Sequence, residues 1–328
     1  MKIRSILLAV VLGASLVSAP AQAATQLIVG VAYDIGGRGD KSFNDASAAG
    51  LEKAQKQFDF NLEAVVTDGT STDREKRIRS LITKKCNPIV AIGAGYAATL
   101  QALAVEFPNT QFAIINDASV AALNVTSVVF ADTQGAYLAG FSAAQVSKSG
   151  KVAMIANPDQ ADLYKDGFSA GVFASKKKVI PIVKYVSGSY SLATSQVLDA
   201  GADVVFAATQ GSNSEIFKVI VARNAKKKGS NIGLINIEPD QYITVTSATK
   251  KFLFASVVKR VDKAIYDVIA LSAAKRAYLD ILDGDAGIYG RRYGITGGGI
   301  EFTIRSKELA VLSDSINVAA ATAEKILA

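Results

Sequence analysis

Short apolar runs alternate along the chain with longer stretches that mix apolar and polar residues, and the two patterns predict strands and helices in turn. The apolar runs are rich in Val, Ile and Ala, which is typical of parallel strands covered on both faces. A first series of strands is predicted at 26–33, 62–67, 88–93, 111–115 and 126–130. Helices are predicted between them at 43–58, 72–84 and 96–107. This order indicates parallel βαβ units.

A second series begins with a helix predicted at 134–147. Its strands are predicted at 151–155, 179–186, 203–207 and 231–237, and its helices at 161–174, 192–200 and 213–225. One more strand at 253–258 and a helix at 262–277 follow. The tail, 293–328, is predicted to form a last strand pair and a closing helix.

The first residues have the order of a secretory signal peptide. Lys2 and Arg4 precede an apolar segment at 6–17, and small residues end it at Ala21 and Ala23. We therefore expect residues 1–23 to be removed, Ala24 to begin an exported protein, and no membrane span to follow, because no later stretch has about 18 uninterrupted apolar residues.

About 300 residues follow the predicted leader, more than one typical core accommodates, so two lobes are expected. The predicted fold class is α/β, with two doubly wound parallel sheets. Ligands of such sheets bind outside the carboxyl ends of the strands. The two sets of strand ends are thus expected to face one cleft.

The composition excludes several classes of site. The chain has no histidine, which removes the commonest general base, the Ser-His-Asp arrangement and most zinc sites. Cys86 is the one cysteine and is expected to be a small buried residue. Without Lys2 and Arg4, 34 basic residues remain against 29 acidic ones, a net charge of +5. The basic residues are scattered, as on solvated helix ends, so no nucleic-acid partner is expected. No metal or cofactor is expected either.

The segment 34–44 connects the first strand to the first helix through three glycines. Glycines let the backbone approach a ligand closely, Ser42 is a candidate N-cap, and a helix start offers N–H groups. The segment predicts the mouth of a ligand site, with an ordinary loop as the alternative. It does not fit a phosphate-binding P-loop, because Asp40 precedes Lys41 where a glycine is required.

A second glycine pattern, Gly93-Ala94-Gly95, follows a strand and opens a helix, with Asp117 about 20 residues further on. This is the dinucleotide-binding fingerprint, which leaves an NAD-dependent enzyme open. The fingerprint normally occupies the first βα turn rather than the third, which disfavours this alternative.

The segment 34–44 also resembles the opening signature of the basic membrane protein family, the purine-nucleoside receptors of ABC transporters. Further landmarks of that family occur in the same order at 112–117, 134–140, 167–171, 201–205 and 256–262. Together they span nearly the whole chain after the predicted leader.

The resemblance implies the type I periplasmic binding protein fold, with two lobes joined by a hinge. The first lobe is expected to contain 24–131 and 242–279, and the second 132–241 and 280–328. The chain is expected to cross between them near Asp132, Gln241 and Leu279.

The resemblance also implies the roles of individual residues. Phe43 and Phe217 would sandwich a purine, and Asp34 and Asn44 would address the edge of the base. Tyr190 would stand in for a third aromatic residue.

The sugar end of the implied site departs from the family pattern. Glu238 and Lys259 would hold the ribose, with Glu238 at a position where the family usually has Asp. Asn116 likewise replaces an Asp, although Asp117 follows it directly.

The resemblance therefore implies an exported substrate-binding protein that delivers a nucleoside to an ABC transporter permease and catalyses no reaction. It is expected to be a monomer without a lipid anchor, since Cys86 lies inside the chain. A binding protein for a sugar or another small molecule, an NAD-dependent enzyme and a ligand sensor remain alternatives.

Overall fold

The computed structural model describes residues 26–158, 161–186, 188–209, 213–226, 231–237, 242 and 245–326. The predicted leader at 1–23 and the predicted ligand residue Glu238 lie outside these residues.

The described residues form an α/β fold in which strands and helices alternate, as predicted. The strands are β1 (Leu27–Tyr33), β2 (Phe60–Val66), β3 (Ile89–Ile92), β4 (Phe112–Ile115), β5 (Val125–Phe130), β6 (Lys151–Ala156), β7 (Ile180–Tyr185), β8 (Val204–Ala208), β9 (Gly233–Ile237), β10 (Leu253–Lys259), β11 (Asp280–Asp283), β12 (Ile288–Tyr293) and β13 (Ile300–Ile304). The helices are α1 (Phe43–Gln55), α2 (Ser71–Thr83), α3 (Ala97–Glu106), α4 (Asp132–Val146), α5 (Ala161–Ala174), α6 (Tyr190–Asp199), α7 (Ser214–Lys226), α8 (Ser247–Lys250), α9 (Val261–Ala273), α10 (Lys307–Ala310) and α11 (Ser313–Ile326).

The strands form two sheets, and each has a point at which its strand order reverses. The first sheet has the order β11-β12-β5-β4-β3-β1-β2, and the second has β13-β10-β9-β8-β6-β7. Only the edge pairs β11–β12 and β10–β13 are antiparallel among the described strands. The order reverses beside β1 in the first sheet and beside β6 in the second, and crevices for ligands open at such points.

The central strands form the cores of both sheets because their side chains are apolar on both faces. All residues of β3, β8, β9 and β10 are buried. The helices α4 and α5 pack backbone against backbone at two glycines. A Cβ added at Gly140 would overlap the Phe168 carbonyl, and one at Gly171 would overlap the Tyr137 carbonyl.

Two segments lie in different sheets from those that the prediction assigned. The strand β10 falls in the segment predicted for the first lobe, but it pairs with β9 and β13 in the second sheet. Conversely, β11 and β12 fall in the segment predicted for the second lobe, but β12 pairs with β5 in the first sheet. The strand β12 pairs with β5, which lies far earlier in the chain, whereas β10 remains beside β9, the strand that precedes it, and also pairs with the later β13. Local pattern does not reveal which of these partners a strand takes.

The crossings between the sheets shift accordingly. The predicted crossing near Asp132 agrees with the passage from β5 to α4, whereas those near Gln241 and Leu279 are wrong. The chain instead leaves the second sheet at Arg260, since α9 packs on α1: a Cβ added at Gly50 would overlap the Asp262 carbonyl. The chain returns to the second sheet between β12 and β13. The strand pair predicted in the tail is also wrong, because β12 and β13 belong to different sheets.

None of the helices in the described part of the chain combines the length and the apolar character that crossing a membrane requires.

Candidate functional site

A cavity of about 400 Å³ lies at the carboxyl ends of β1, β3 and β4, where the first sheet reverses its strand order. Asp34 follows β1, the glycines at 93–95 follow β3, and Asn116 follows β4. Phe43, the first residue of α1, forms part of its wall. The volume falls within the range of small-molecule sites.

The segment 34–44 is held by acidic side chains at the start of α1. The Asp40 carboxylate accepts hydrogen bonds from the backbone N–H groups of Ser42, Asn44 and Asp45 at 2.8, 3.0 and 3.1 Å. The capping carboxylate is therefore that of Asp40, rather than the Ser42 hydroxyl that the sequence suggested. The sequence predicted that the start of α1 would offer free N–H groups to a ligand. Those of Ser42, Asn44 and Asp45 are instead occupied by the Asp40 carboxylate.

Asn44 is buried and ties the same segment to the end of β1. Its Oδ1 accepts a hydrogen bond from the Asp34 N–H at 3.0 Å, and its Nδ2 donates to the carbonyls of Asp34 and Ile35 at 3.4 and 3.5 Å. This places the amide at the cavity wall, with its polar atoms directed to the backbone. Recognition of a base edge by Asn44 stays a prediction.

Asp34 lines the cavity and forms an ion pair with Arg74 of α2. The Arg74 Nη2 lies 3.0 Å from the Asp34 Oδ1, and Nη1 donates to the Gly69 carbonyl at 2.7 Å. The guanidinium also lies over the Tyr96 ring, 5.5 Å from its centroid. Burial raises the pKa of Tyr96, whose hydroxyl donates to the Tyr33 carbonyl at 2.8 Å.

The glycine pattern at 93–95 makes room for this ion pair. A Cβ added at Gly95 would lie 2.6 Å from the Arg74 Cζ, and one at Gly93 would lie 3.1 Å from the Asp34 Oδ2. Asp117, which the dinucleotide fingerprint requires for a ribose, accepts hydrogen bonds from the N–H and the hydroxyl of Ser119 instead. The glycines thus have a packing role beside the Asp34–Arg74 ion pair.

Lys259 is a fully buried cation beside the cavity, at the end of β10. Its Nζ lies 2.8 Å from the Asp132 Oδ1 and donates to the Tyr164 hydroxyl at 3.1 Å and to the Asn116 Oδ1 at 3.4 Å. Burial raises the pKa of Asp132, and the charges of Lys259 and Arg292 oppose that rise. The lysine therefore links the end of β4 in the first sheet to α5 beside the second.

Three aromatic rings surround the Lys259 ammonium. Its Nζ lies 5.6 Å from the ring centroid of Phe43, 5.7 Å from that of Tyr164 and 6.0 Å from that of Phe130. Cations at such distances are attracted by the faces of aromatic rings, which orients Phe43 within the wall of the cavity.

The remaining predicted residues lie outside this cavity. Phe217 is buried beside the second sheet and lines a different cavity of about 420 Å³, together with Lys41 and Thr246. Tyr190 donates its hydroxyl hydrogen to the Asn157 Oδ1 at 2.6 Å. The structure therefore brings together five of the predicted residues, namely Asp34, Phe43, Asn44, Asn116 and Lys259, whereas Phe43 and Phe217 do not face each other across one cavity.

Sequence reasoning did not assign Arg74, Asp132 or Tyr164 to the site. Asp132 could have been found, because it and Lys259 carry opposite charges at two points where the chain leaves a sheet. Asp132 begins α4 just after β5, and Lys259 ends β10. Arg74 carries no such signal, since it lies 40 residues from Asp34 on the face of an ordinary polar helix.

Comparison with known proteins places the chain beside binding proteins of transporters. The family model described as "ABC transporter substrate-binding protein PnrA-like" matches residues 28–327. The chain is 29% identical over 268 residues to a CD4+ T-cell-stimulating antigen of Listeria innocua, covering 75% of this chain and 73% of that protein. It is 25% identical over 261 residues to the ABC transporter nucleoside-binding protein BmpA of Lactococcus lactis, covering 74% of each.

A solved solute-binding protein of an ABC transporter system from Aeropyrum pernix superposes with a TM-score of 0.68. It is 20% identical and covers 91% of this chain and 86% of that one, so the likeness shows a shared fold.

Proposed function

Because the chain belongs to the family of PnrA-like ABC transporter substrate-binding proteins, we propose that it captures a nucleoside, and most specifically a purine nucleoside, between its two sheets. Two observations support this ligand class: segment 34–44 resembles the opening of purine-nucleoside receptors, and the Lactococcus lactis relative is a nucleoside-binding protein.

The observation that carries the proposal is the composition of the cavity at the ends of β1, β3 and β4. It combines the aromatic face of Phe43, the Asp34 carboxylate and the Asn116 amide within about 400 Å³. A flat heteroaromatic base stacks on such a ring with about 1–3 kcal/mol. The carboxylate accepts hydrogen bonds from N–H groups at the edge of the base.

Capture would proceed by closure of the two sheets on the ligand about the three segments that cross between them. Ligand contacts made from both sides favour the closed form over the open one, and the permease of the transporter would read that form. Lys259 stands at one of these crossings and contacts residues of both sides, Asn116 and Tyr164. On closure, Phe217 and Tyr190, at the helix starts that follow the strands of the second sheet, would complete the site.

Calorimetric titration of the purified protein with inosine, adenine, ribose and NAD tests the ligand class. We expect inosine to bind and to raise the melting temperature. At 100 times its dissociation constant it should add about 2.7 kcal/mol to the free energy of unfolding. Phe43→Ala should weaken inosine binding at least about tenfold through the lost stacking. Phe173→Ala, which truncates a phenylalanine 69% exposed on α5, is the matched control and should bind normally.

Binding of ribose or NAD without inosine would refute the proposal. So would equal inosine affinity in the Phe43→Ala variant and the wild type.

We further propose that the protein is exported, is cleaved after Ala23, carries no lipid anchor and acts as a monomer without catalysing a reaction. The charged, apolar and small-residue order of the first 23 residues supports export. N-terminal sequencing of the protein recovered from its native cell envelope tests the cleavage: Ala24 is expected, and a retained Met1 or an attached fatty acid would contradict the proposal.

A further inference from the structure

We infer that Arg74 is a positioning residue for ligand recognition: it holds one oxygen of the Asp34 carboxylate so that the other is presented to the cavity as a hydrogen-bond acceptor. The inference rests on the proposed nucleoside function. It adds which hydrogen-bonding groups at the edge of the base the site selects.

The geometry fixes the guanidinium from three sides. It donates to the Asp34 Oδ1 at 3.0 Å and to the Gly69 carbonyl at 2.7 Å, and it lies 5.5 Å from the centroid of the Tyr96 ring. Gly95 is close enough that any side chain there would displace it, with a Cβ 2.6 Å from the Arg74 Cζ. The Arg74 side chain is only 14% exposed, compared with 36% for that of Asp34. Arg74 therefore lies behind Asp34 and acts on a ligand through it.

The other acidic and amide oxygens of the cavity wall already accept hydrogen bonds. The Asn44 Oδ1 is taken by the Asp34 N–H and the Asn116 Oδ1 by Lys259, while both oxygens of Asp40 cap α1. Among the carboxylate and amide oxygens that line the cavity within the described residues, the Asp34 Oδ2 accepts no hydrogen bond from the protein.

This arrangement selects a ligand by its donors. A carboxylate accepts hydrogen bonds and donates none, and a hydrogen bond with one charged partner is roughly twice as strong as a neutral one. A base that presents an N–H group at its edge, such as the N1–H of hypoxanthine, satisfies the Asp34 oxygen. Purine riboside has the same ring and sugar but no N–H on that edge, so it leaves the oxygen unsatisfied.

A double-mutant cycle with two ligands tests the inference. Inosine and purine riboside are titrated calorimetrically into the wild type, Arg74→Met, Asp34→Asn and the double variant. We expect Arg74→Met to weaken inosine about tenfold, the equivalent of about 1.4 kcal/mol, and to change purine riboside affinity little. In the Asp34→Asn background, Arg74→Met should have almost no further effect on inosine, because the two residues act as a unit.

Arg77→Met is the matched control, since Arg77 lies on the same helix and pairs with Asp73 at 3.1 Å. It should leave both affinities unchanged. Should Arg74→Met not fold, Arg74→Lys carries the same comparison. It keeps the charge but loses the two-pronged donor, and its smaller loss should again be confined to inosine.

Equal losses for inosine and purine riboside, or a full loss in the Asp34→Asn background, would overturn the inference and leave the proposed function intact. A wild-type protein that binds neither nucleoside would overturn both.

Discussion

Replacing Lys259 by Met should destabilise the protein far more than its position at a predicted ligand site would suggest. Its side chain is fully buried, and its Nζ lies 2.8 Å from the Asp132 Oδ1. Removal of one partner of a buried ion pair leaves the other charge uncompensated, which costs about 3–5 kcal/mol. Lys259→Met should therefore lower the free energy of unfolding in addition to any effect on ligand affinity.

The same pair predicts how this loss depends on pH. Burial raises the pKa of Asp132, and the Lys259 charge opposes that rise. Without Lys259 the pKa of Asp132 should rise further, so the folded variant holds a proton more tightly than the unfolded chain, whose Asp has a pKa of about 3.9. The stability of Lys259→Met relative to the wild type should therefore fall as pH rises from the unfolded pKa of Asp132 through its raised folded pKa. The stability deficit of the variant should be larger at pH 8 than at pH 5.

Urea denaturation followed by circular dichroism measures these differences. The cycle comprises the wild type, Lys259→Met, Asp132→Asn and the double variant, and the double variant should be less destabilised than the sum of the single ones by at least about 1 kcal/mol. Lys263→Met is the matched control, because Lys263 forms a partly exposed i,i+4 pair with Asp267 at 2.6 Å. Its loss should cost less than about 1 kcal/mol.

A loss for Lys259→Met no larger than that of Lys263→Met, or strict additivity in the cycle, would refute the reasoning. A deficit that grows toward acidic pH would show that Asp132 is not the group left uncompensated.

Two further predictions concern the contact between the helices α1 and α9. Gly50→Ala should destabilise the fold by about 1–3 kcal/mol, since the added methyl would overlap the Asp262 carbonyl; an unchanged urea midpoint would show that the helices do not touch there. Burial raises the pKa of Asp262, but the hydrogen bonds and the charge of Arg260, with the Lys263 N–H and the Lys53 charge, together lower it overall. The stabilisation by ionised Asp262 is thus present above its unfolded pKa of about 4 and is lost as pH falls through the lower folded value. Asp262→Asn should therefore make stability less dependent on pH in the acid range. Acid titrations of the wild type and the variant measure this difference.

Several parts of the fold follow from sequence patterns because they depend on neighbouring residues. The buried parallel strands are apolar on both faces, and the helices between them alternate apolar and polar residues with the helical period. The predicted strand at 26–33 agrees with β1, and the predicted helix at 161–174 with α5. Resemblance to the basic membrane protein family, carried by 34–44 and the later landmarks, is confirmed by the family match over 28–327.

Strands with weak local patterns were not predicted. The segment 280–293, which forms β11 and β12, is rich in Asp, Gly and Arg and lacks an apolar run. Its strands form because β12 finds the edge of β5, where Gly290 allows the two backbones to approach.

What the sequence by itself determined is the order of strands and helices, the α/β class and the family, since each depends on residues that are close together in the chain. The segment 34–44, predicted as a ligand mouth, lines a cavity, and binding there stays a prediction. The tertiary structure decided which sheet receives β10 and β12, and which charges meet: Arg74 with Asp34 and Lys259 with Asp132. An apolar strand fits the edge of either sheet, and a buried charge can pair with any opposite charge that the fold brings within about 4 Å. Those partners are set by contacts between distant parts of the chain, for which no local periodicity exists.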